Sequence, residues 1–414
     1  MTSDGRGDGA SLWTLLVCQA ALVTGLALSF PFVALYLNHE RGVPMGYVGL
    51  ALSGMMAMAG LAQAWGGELS DLIGPKTVME FALLARGAAS LGLAWAIRSR
   101  ASLPVVVALL LAAGFGGNFF DPGIRSWIAE HFSSAQRRTL YGYQRIAVNL
   151  GWGIGPAIGG FMASKSYPLM FAVTALTCVA CWVLLRSKLP RQHAARGGQR
   201  FELLSVADAA RDTRFLEFCG YTVAAAIVMG QFIVSLSIFA VSYLGLSEAQ
   251  VGWLFALNGS LVTLIQAQVT RRLLGRRLTL ALAAGCAFYA AGYGSVGFAR
   301  GFGSLAFGVV LVTLGEALTT PSLYSIAANL APESLRGRYA GLHGLSLNVG
   351  HALAPLIGGV ALERLTPRWT PGPWVLVAVV GAAASVCFAQ FARRLNDEEQ
   401  GIAAPWEPVA EGAS

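Results

Sequence analysis

The sequence predicts an all-α membrane protein: twelve transmembrane helices in two pseudo-symmetric six-helix bundles. Three observations lead there. The 414 residues are 55% hydrophobic and only 12% charged, where ordinary globular chains carry about 25%. That much apolar side chain exceeds what one soluble core can hide, so the surplus faces lipid. Apolar runs of about 20 residues, the length a bilayer requires, recur along the whole chain, and its second half repeats the first.

The spans fall in order near 12–37, 45–66, 77–98, 103–130, 141–163 and 168–186. After a polar segment they resume near 215–244, 250–270, 278–299, 303–330, 339–361 and 372–392. The expected units are an N-terminal tail 1–11, a first bundle 12–186, a linker 187–214, a second bundle 215–393 and a tail 394–414. The start, "MTSDGRGDGAS", is polar and lacks a basic n-region, so no cleaved signal peptide is expected.

An even number of spans puts both termini on one face, and the basic residues choose which. Loops on the terminal face hold nineteen Lys and Arg, the opposite loops seven, with Arg86, Arg125 and Arg145 inside spans. This bias makes both termini cytoplasmic, in the cell (inner or plasma) membrane. The net charge of +8 is spread in short clusters between apolar runs, which argues against nucleic acid as a partner. The six cysteines, Cys178 and Cys181 of a C-x-x-C among them, lie within apolar runs and suit packing.

The repeat is exact in register. "DPGIRSWIAEHFSSAQRRTLYGYQRIAVNLGWGIGPAIGG" (121–160) aligns without a gap on "TPSLYSIAANLAPESLRGRYAGLHGLSLNVGHALAPLIGG" (320–359), with eleven identities at a constant offset of 199. "FVALYL" (32–37) and "FAVSYL" (239–244) extend it to spans one and seven. Parallel six-helix repeats point to a transporter whose binding site lies between the halves near the midplane.

Two motifs carry a family resemblance. Between spans two and three, "GGELSDLIGPKTVM" holds Gly67, Asp71, Gly74 and Lys76 in the spacing G-x-x-x-D-x-x-G-P-K, which resembles the signature loop of the major facilitator superfamily. The second half keeps Gly275 and Arg276-Arg277 but has Gln268 and Arg272 where Gly67 and Asp71 stand. The resemblance implies a conformational-switch loop in which Asp71 caps the start of span eleven, around Arg338 to Gly341, in the outward-open state. A helix N-terminus and a basic loop would favour that contact. In span five, "GWGIGPAIGG" supplies Gly151, Gly155, Pro156, Gly159 and Gly160 and resembles the helix motif of the superfamily's twelve-span drug:proton antiporters. Small residues four apart let helices approach closely in lipid, and neighbouring helices compensate the bond lost at the proline. The usual arginine of such exporters in span four is absent, because Leu110 stands four residues before Gly114, and span one has no acid.

Ionisable groups at membrane depth usually face a cavity or a partner. Glu316 and His351 lie near the middle of spans ten and eleven, and both side chains can exchange protons. Glu316 is the expected proton-coupling carboxylate with His351 modulating it; a static, satisfied pair is the plainer alternative. Asp121 and Arg125 share a face of span four, and with Arg145 of span five they form an expected charge cluster. That cluster reads as a gate, as a coupling site with Asp121 a third proton candidate, or as a structural ion pair. Expected cavity residues are Asn118, Phe119, Asn149, Trp152, Gln231 and Asn348. An apolar, aromatic lumen suits hydrophobic or amphiphilic solutes.

The expected function is therefore secondary transport by a monomer, with proton-driven export of small hydrophobic compounds ahead of a symporter, facilitator or lipid translocator on the same fold. A non-transporting membrane sensor fits poorly, since no sizeable extramembrane domain is expected. The expected partners are a small-molecule substrate, protons and the lipid bilayer. No nucleophile elbow, phosphate loop or metal cluster appears, so neither an enzyme nor a cofactor or metal is expected.

Overall fold

The computed structural model describes residues 5–189, 209–332 and 335–402. Most of the expected linker and the end of the C-terminal tail lie outside them. The first half contains span one (Gly5–Leu35, continued by a π-turn at Tyr36–Glu40), span two (Met45–Ile73) and span three (Pro75–Arg98). Span four is split into Leu103–Gly117 and Phe120–His131, and spans five and six are Ser134–Ala163 and Tyr167–Lys188. In the second half span seven is Thr213–Gly230 followed by Ser235–Ile238 and a π-turn at Phe239–Tyr243. Spans eight to twelve are Glu248–Leu273, Leu278–Gly297, Phe302–Asn329, Arg336–Leu365 and Gly372–Phe391.

Eleven of the twelve are long and apolar enough to cross a membrane by length and composition. Span eight is the exception. Its 26 residues are long enough, but Asn258, Gln266 and Gln268 dilute its apolar character. A helix that polar belongs where neighbours or a cavity take its side chains.

Local chemistry fixes the turns on the terminal face. Gly74 has φ +87° and Gly275 φ +69°, left-handed conformations that glycine adopts without steric penalty. The turn after span two is the single residue Gly74 and that after span eight is longer, 274–277, but each contains a positive-φ glycine; Pro75 opens span three, where its fixed φ suits a helix start. Asp212 caps span seven by accepting from the backbone N–H groups of Arg214 and Phe215, and Tyr339 donates to its other oxygen at 2.9 Å.

Part of the expected tail is folded rather than free. Asn396–Gly401 lies against spans seven, nine and ten. Gln400 is buried, its carbonyl accepts from Leu278 N–H at 3.1 Å, and its Oε1 accepts from the Thr279 hydroxyl at 2.6 Å. These contacts satisfy the start of span nine, and Glu399 pairs with Arg214 beside them.

Packing differs sharply between the two faces. Toward the termini each half has its own core, one around Leu15, Met79, Ile124 and Trp127, the other around Phe215, Phe218, Leu282 and Phe388. On the far face one continuous core joins Phe32, Leu35, Val48 and Met170 of the first half to Phe239, Leu254, Tyr293 and Trp374 of the second. The halves meet there, span two against span eleven and span five against span eight. Tyr167 donates to Glu248 at 3.1 Å, the N–H of Gly46 to Glu363 at 2.6 Å, and the N–H of Leu356 to the Ser53 hydroxyl at 3.2 Å. On the terminal face, by contrast, the cores of the two halves share no residue. The molecule is sealed on its far face and open on its terminal face.

Candidate functional site

The glycines of span five make the seal, and they divide into two faces. Gly151, Gly155 and Gly159, four apart, lie on span one: a Cβ at Gly151 would meet Val23 Cβ at 2.7 Å, and one at Gly155 would meet Ala27 Cβ at 2.7 Å. Gly160 turns instead to the other half, where a Cβ would meet Gly252 Cα of span eight at 2.9 Å and overlap the Glu248 carbonyl. A Cβ at Gly252 would in turn lie 3.0 Å from the Pro156 carbonyl. Span eleven repeats the plan. Gly350 and Gly358 face span seven, while Gly359 crosses Gly49 of span two. Missing side chains thus bring backbone to backbone at two crossings related by the internal repeat.

Below the seal, span eight carries the polar centre. Asn258 donates to Glu316 Oε2 at 3.0 Å and to the Thr313 hydroxyl at 2.9 Å, both on span ten. Thr313 passes its own proton to the Val309 carbonyl at 2.7 Å. Tyr289 and Tyr293 of span nine lie within electrostatic range of Glu316, and their rings stack 6.2 Å apart. No Lys, Arg or His is recorded in an ion pair with Glu316 among the described residues. The expected neighbour, His351, engages other groups: it sits against Gly230 of span seven and bonds to the backbone of Leu347. Depth along a helix brought Glu316 and His351 to one level, but the helices turn them to different neighbours.

The expected charge cluster is likewise redrawn. Asp121 and Arg125 do pair, at 2.9 Å, and Asp121 also accepts from Gln144 of span five at 2.7 Å. Arg145 does not join them. Its guanidinium lies over the Tyr324 ring of span ten, 5.4 Å from the centroid, and so reaches across the lumen to the other half. Tyr324 meets His343 edge to face at 5.4 Å, and His343 stacks on Phe218.

The expected cavity residues separate by what already occupies them. Asn149 is exposed one helical turn beyond Arg145, on the lumen face, and Asn348 is its exposed counterpart on span eleven. Trp152 is partly buried against the shared core. Asn118 donates to the Gly114 carbonyl at 2.6 Å, closing the break in span four, and Phe119 is buried in an aromatic cluster with Phe81 and Phe115. Gln231 is fully buried, donating to the Ala354 carbonyl at 3.0 Å and accepting from Ser235 at 2.6 Å. These three hold helices in place rather than facing an open cavity.

In the signature loop, Gly67 is open and Asp71 is half-buried, with Glu130 as an electrostatic neighbour. Lys76 points inward and donates to the Arg186 carbonyl at 3.3 Å and to that of Leu189, capping the end of span six in its own half. Glu80 completes the cluster, 4.0 Å from Lys76 and 3.7 Å from Arg186. Among the described residues no three His, Cys, Asp or Glu side chains gather as a metal site. All six cysteines are free thiols.

Of the residues that build this centre, Thr313, Tyr289 and Tyr293 carry no motif or charge in the sequence that would single them out. The available signal was span eight itself, whose polar residues are its least lipid-like feature.

Comparison with known proteins agrees with this architecture. The chain is 24% identical over 377 residues to the "Uncharacterized MFS-type transporter YdeE" of Escherichia coli, covering 90% of this chain and 93% of that one. It is also 24% identical over 380 residues to the "Multidrug resistance protein MdtH" of Salmonella paratyphi B, covering 89% and 90%. Among solved structures, the D-xylose-proton symporter superposes with a TM-score of 0.73 at 14% identity, over 92% of this chain and 97% of that one. A POT family transporter does so with 0.75 at 13%, over 94% and 96%. The sequence model of the Major Facilitator Superfamily matches residues 15–355 and 218–411. With its repeated halves, one sealed face and near-complete match, the chain is an integral membrane transporter of the Major Facilitator Superfamily.

Proposed function

We propose that the protein is a proton-coupled exporter of small hydrophobic or amphiphilic compounds, working as a monomer by alternating access. The observation that carries this reading is Glu316: a carboxyl deep in span ten, held by the neutral side chain of Asn258 and paired with no recorded cation among the described residues. Buried charge needs a partner, and where none is a cation, a proton is the one left. Loading and release of that proton is the proposed coupling step, with His351 and the Asp121–Arg125 pair as modulators.

The basic-residue bias assigns the terminal face to the cytoplasm, so the conformation described is inward-open. Residues 1–11, 187–214 and 394–414 then serve as cytoplasmic tail, linker and tail around the bundles 12–186 and 215–393. Substrate enters between Asn149, Asn348 and Trp152, past Arg145 and Tyr324. Asp71 stays in reserve for the outward-open state, where it meets the start of span eleven. The multidrug-resistance name of one relative and the span-five glycines favour export of hydrophobic compounds over uptake of a polar metabolite.

The test is transport into liposomes containing the purified protein, with an imposed proton gradient and a fluorescent hydrophobic dye. Gradient-driven dye movement, lost in Glu316→Gln while gradient-free exchange persists, is the expected result. Dye movement that ignores the gradient in the wild type, or survives unchanged in the variant, removes the coupling role.

A further inference from the structure

Arg86 lies inside the first bundle, well away from the lumen residues. It is 6% exposed, its Nε has no hydrogen-bond partner, and no carboxylate is recorded in an ion pair with it among the described residues. Its ionisable electrostatic neighbour is the thiol of Cys178. Gly117 on span four makes room for it, since a Cβ there would overlap the guanidinium. The placement is therefore built into two spans at once.

Arg86 lines a cavity of about 20 Å³ between spans one, two, three, four and six, together with Ser29, Ser90, Thr174, Phe30 and Phe171. A space of that size holds one water or one monatomic ion. Thr174 donates its hydroxyl to the Gly25 carbonyl at 3.0 Å, and Ser29 donates to Gly25 and Leu26 at 3.2 Å each. Among the described residues the Ser90 hydroxyl meets no acceptor, and it lines the cavity with its proton free for a guest. A fixed cation at membrane depth without a counter-charge is unfavourable, and the cavity offers the place for one.

We propose that Arg86 and Ser90 form a binding site for a small monatomic anion, chloride in ordinary media, enclosed within the first six-helix half. The anion neutralises the guanidinium among the packed spans one, two, three, four and six; the site is independent of substrate and of the proton-coupling carboxyl.

The test begins with wild-type protein in detergent, melted in sodium chloride, sodium bromide and sodium gluconate at equal ionic strength. The expected result is a melting temperature that rises by a few degrees and saturates with either halide but not with gluconate. Arg86→Met, which keeps the volume and drops the charge, should abolish the halide dependence, and Ser90→Ala should weaken it severalfold. Crystals grown in bromide should show an anomalous peak beside Arg86, which decides the matter even where Arg86→Met does not fold. Equal melting in all three salts, or bromide bound elsewhere with none at Arg86, would overturn the proposal.

Discussion

Replacing Gly160 with alanine separates the far-face seal from the rest of the fold. The added Cβ would stand 2.9 Å from Gly252 Cα and 3.0 Å from its nitrogen, as well as against the Glu248 carbonyl. All three are backbone atoms, so no side chain can rotate away, and span five must retreat from span eight. Overpacking of this kind costs about 1–3 kcal/mol, a five- to 150-fold shift in a two-state equilibrium. Because the three atoms nearest that Cβ all belong to the opposite half, the penalty falls on the far-closed conformation and is relieved when the halves part. The population should therefore move toward a far-open state. Spin labels at Lys165 and Arg300 on the far face, and at Ile73 and Leu274 on the terminal face, report it by pulsed electron resonance. The far pair should lengthen and the terminal pair shorten. Gly359→Ala, the symmetry mate against Gly49, should do the same, whereas Gly155→Ala presses on span one of its own half and should lower stability with unchanged distances. If folded Gly160→Ala kept the wild-type distances on both faces, the assignment of the seal to these crossings would be wrong.

Other outcomes follow from the same geometry. Asn258→Ala should remove the hydrogen bond to Glu316 and shift the pH dependence of gradient-driven dye transport, while Gln266→Ala, two turns along the same helix and bonded to the Ala317 carbonyl, leaves that profile in place. Lys76→Met should lose the cap on span six and roughly 1–3 kcal/mol of stability, read as a lower melting temperature with unaltered spin-label distances. Asp71→Asn should instead leave melting unchanged and favour the terminal-open state. Tyr324→Leu should forfeit the cation–π contact with Arg145, about 0.5–1 kcal/mol or two- to fivefold in terminal-face opening, and Tyr324→Phe should retain it.

The fold was readable because hydropathy and repetition are one-dimensional signals. Each predicted span has its helix, and the glycine spacing of span five correctly implied close helix contacts. What the spacing concealed was that Gly160 serves a different neighbour from Gly151 and Gly155. The site was less readable because it depends on rotation about each helix axis. Glu316 and His351 share a depth, yet Glu316 turns to span eight and His351 to span seven. Arg145 sits next to Gln144, which reaches Asp121, so Arg145 points about a hundred degrees away, toward Tyr324. The breaks in spans four and seven escaped notice because their residues are apolar on both sides. Asn118 and Gln231 looked like cavity polar groups, but at those breaks the backbone claims them.

At the two glycine crossings backbone meets backbone, and the carboxylates that bridge the halves, Glu248 to Tyr167 and Glu363 to the Gly46 N–H, flank them. Shape sets the grip at the glycines themselves, while acidity in the medium can reach only the flanking carboxylates. A signal that enters through the lumen is felt at the crossings mechanically, as a tilt of whole helices. Bilayer thickness and lateral pressure act on tilt directly, so the surrounding lipid becomes a second input to the same hinge.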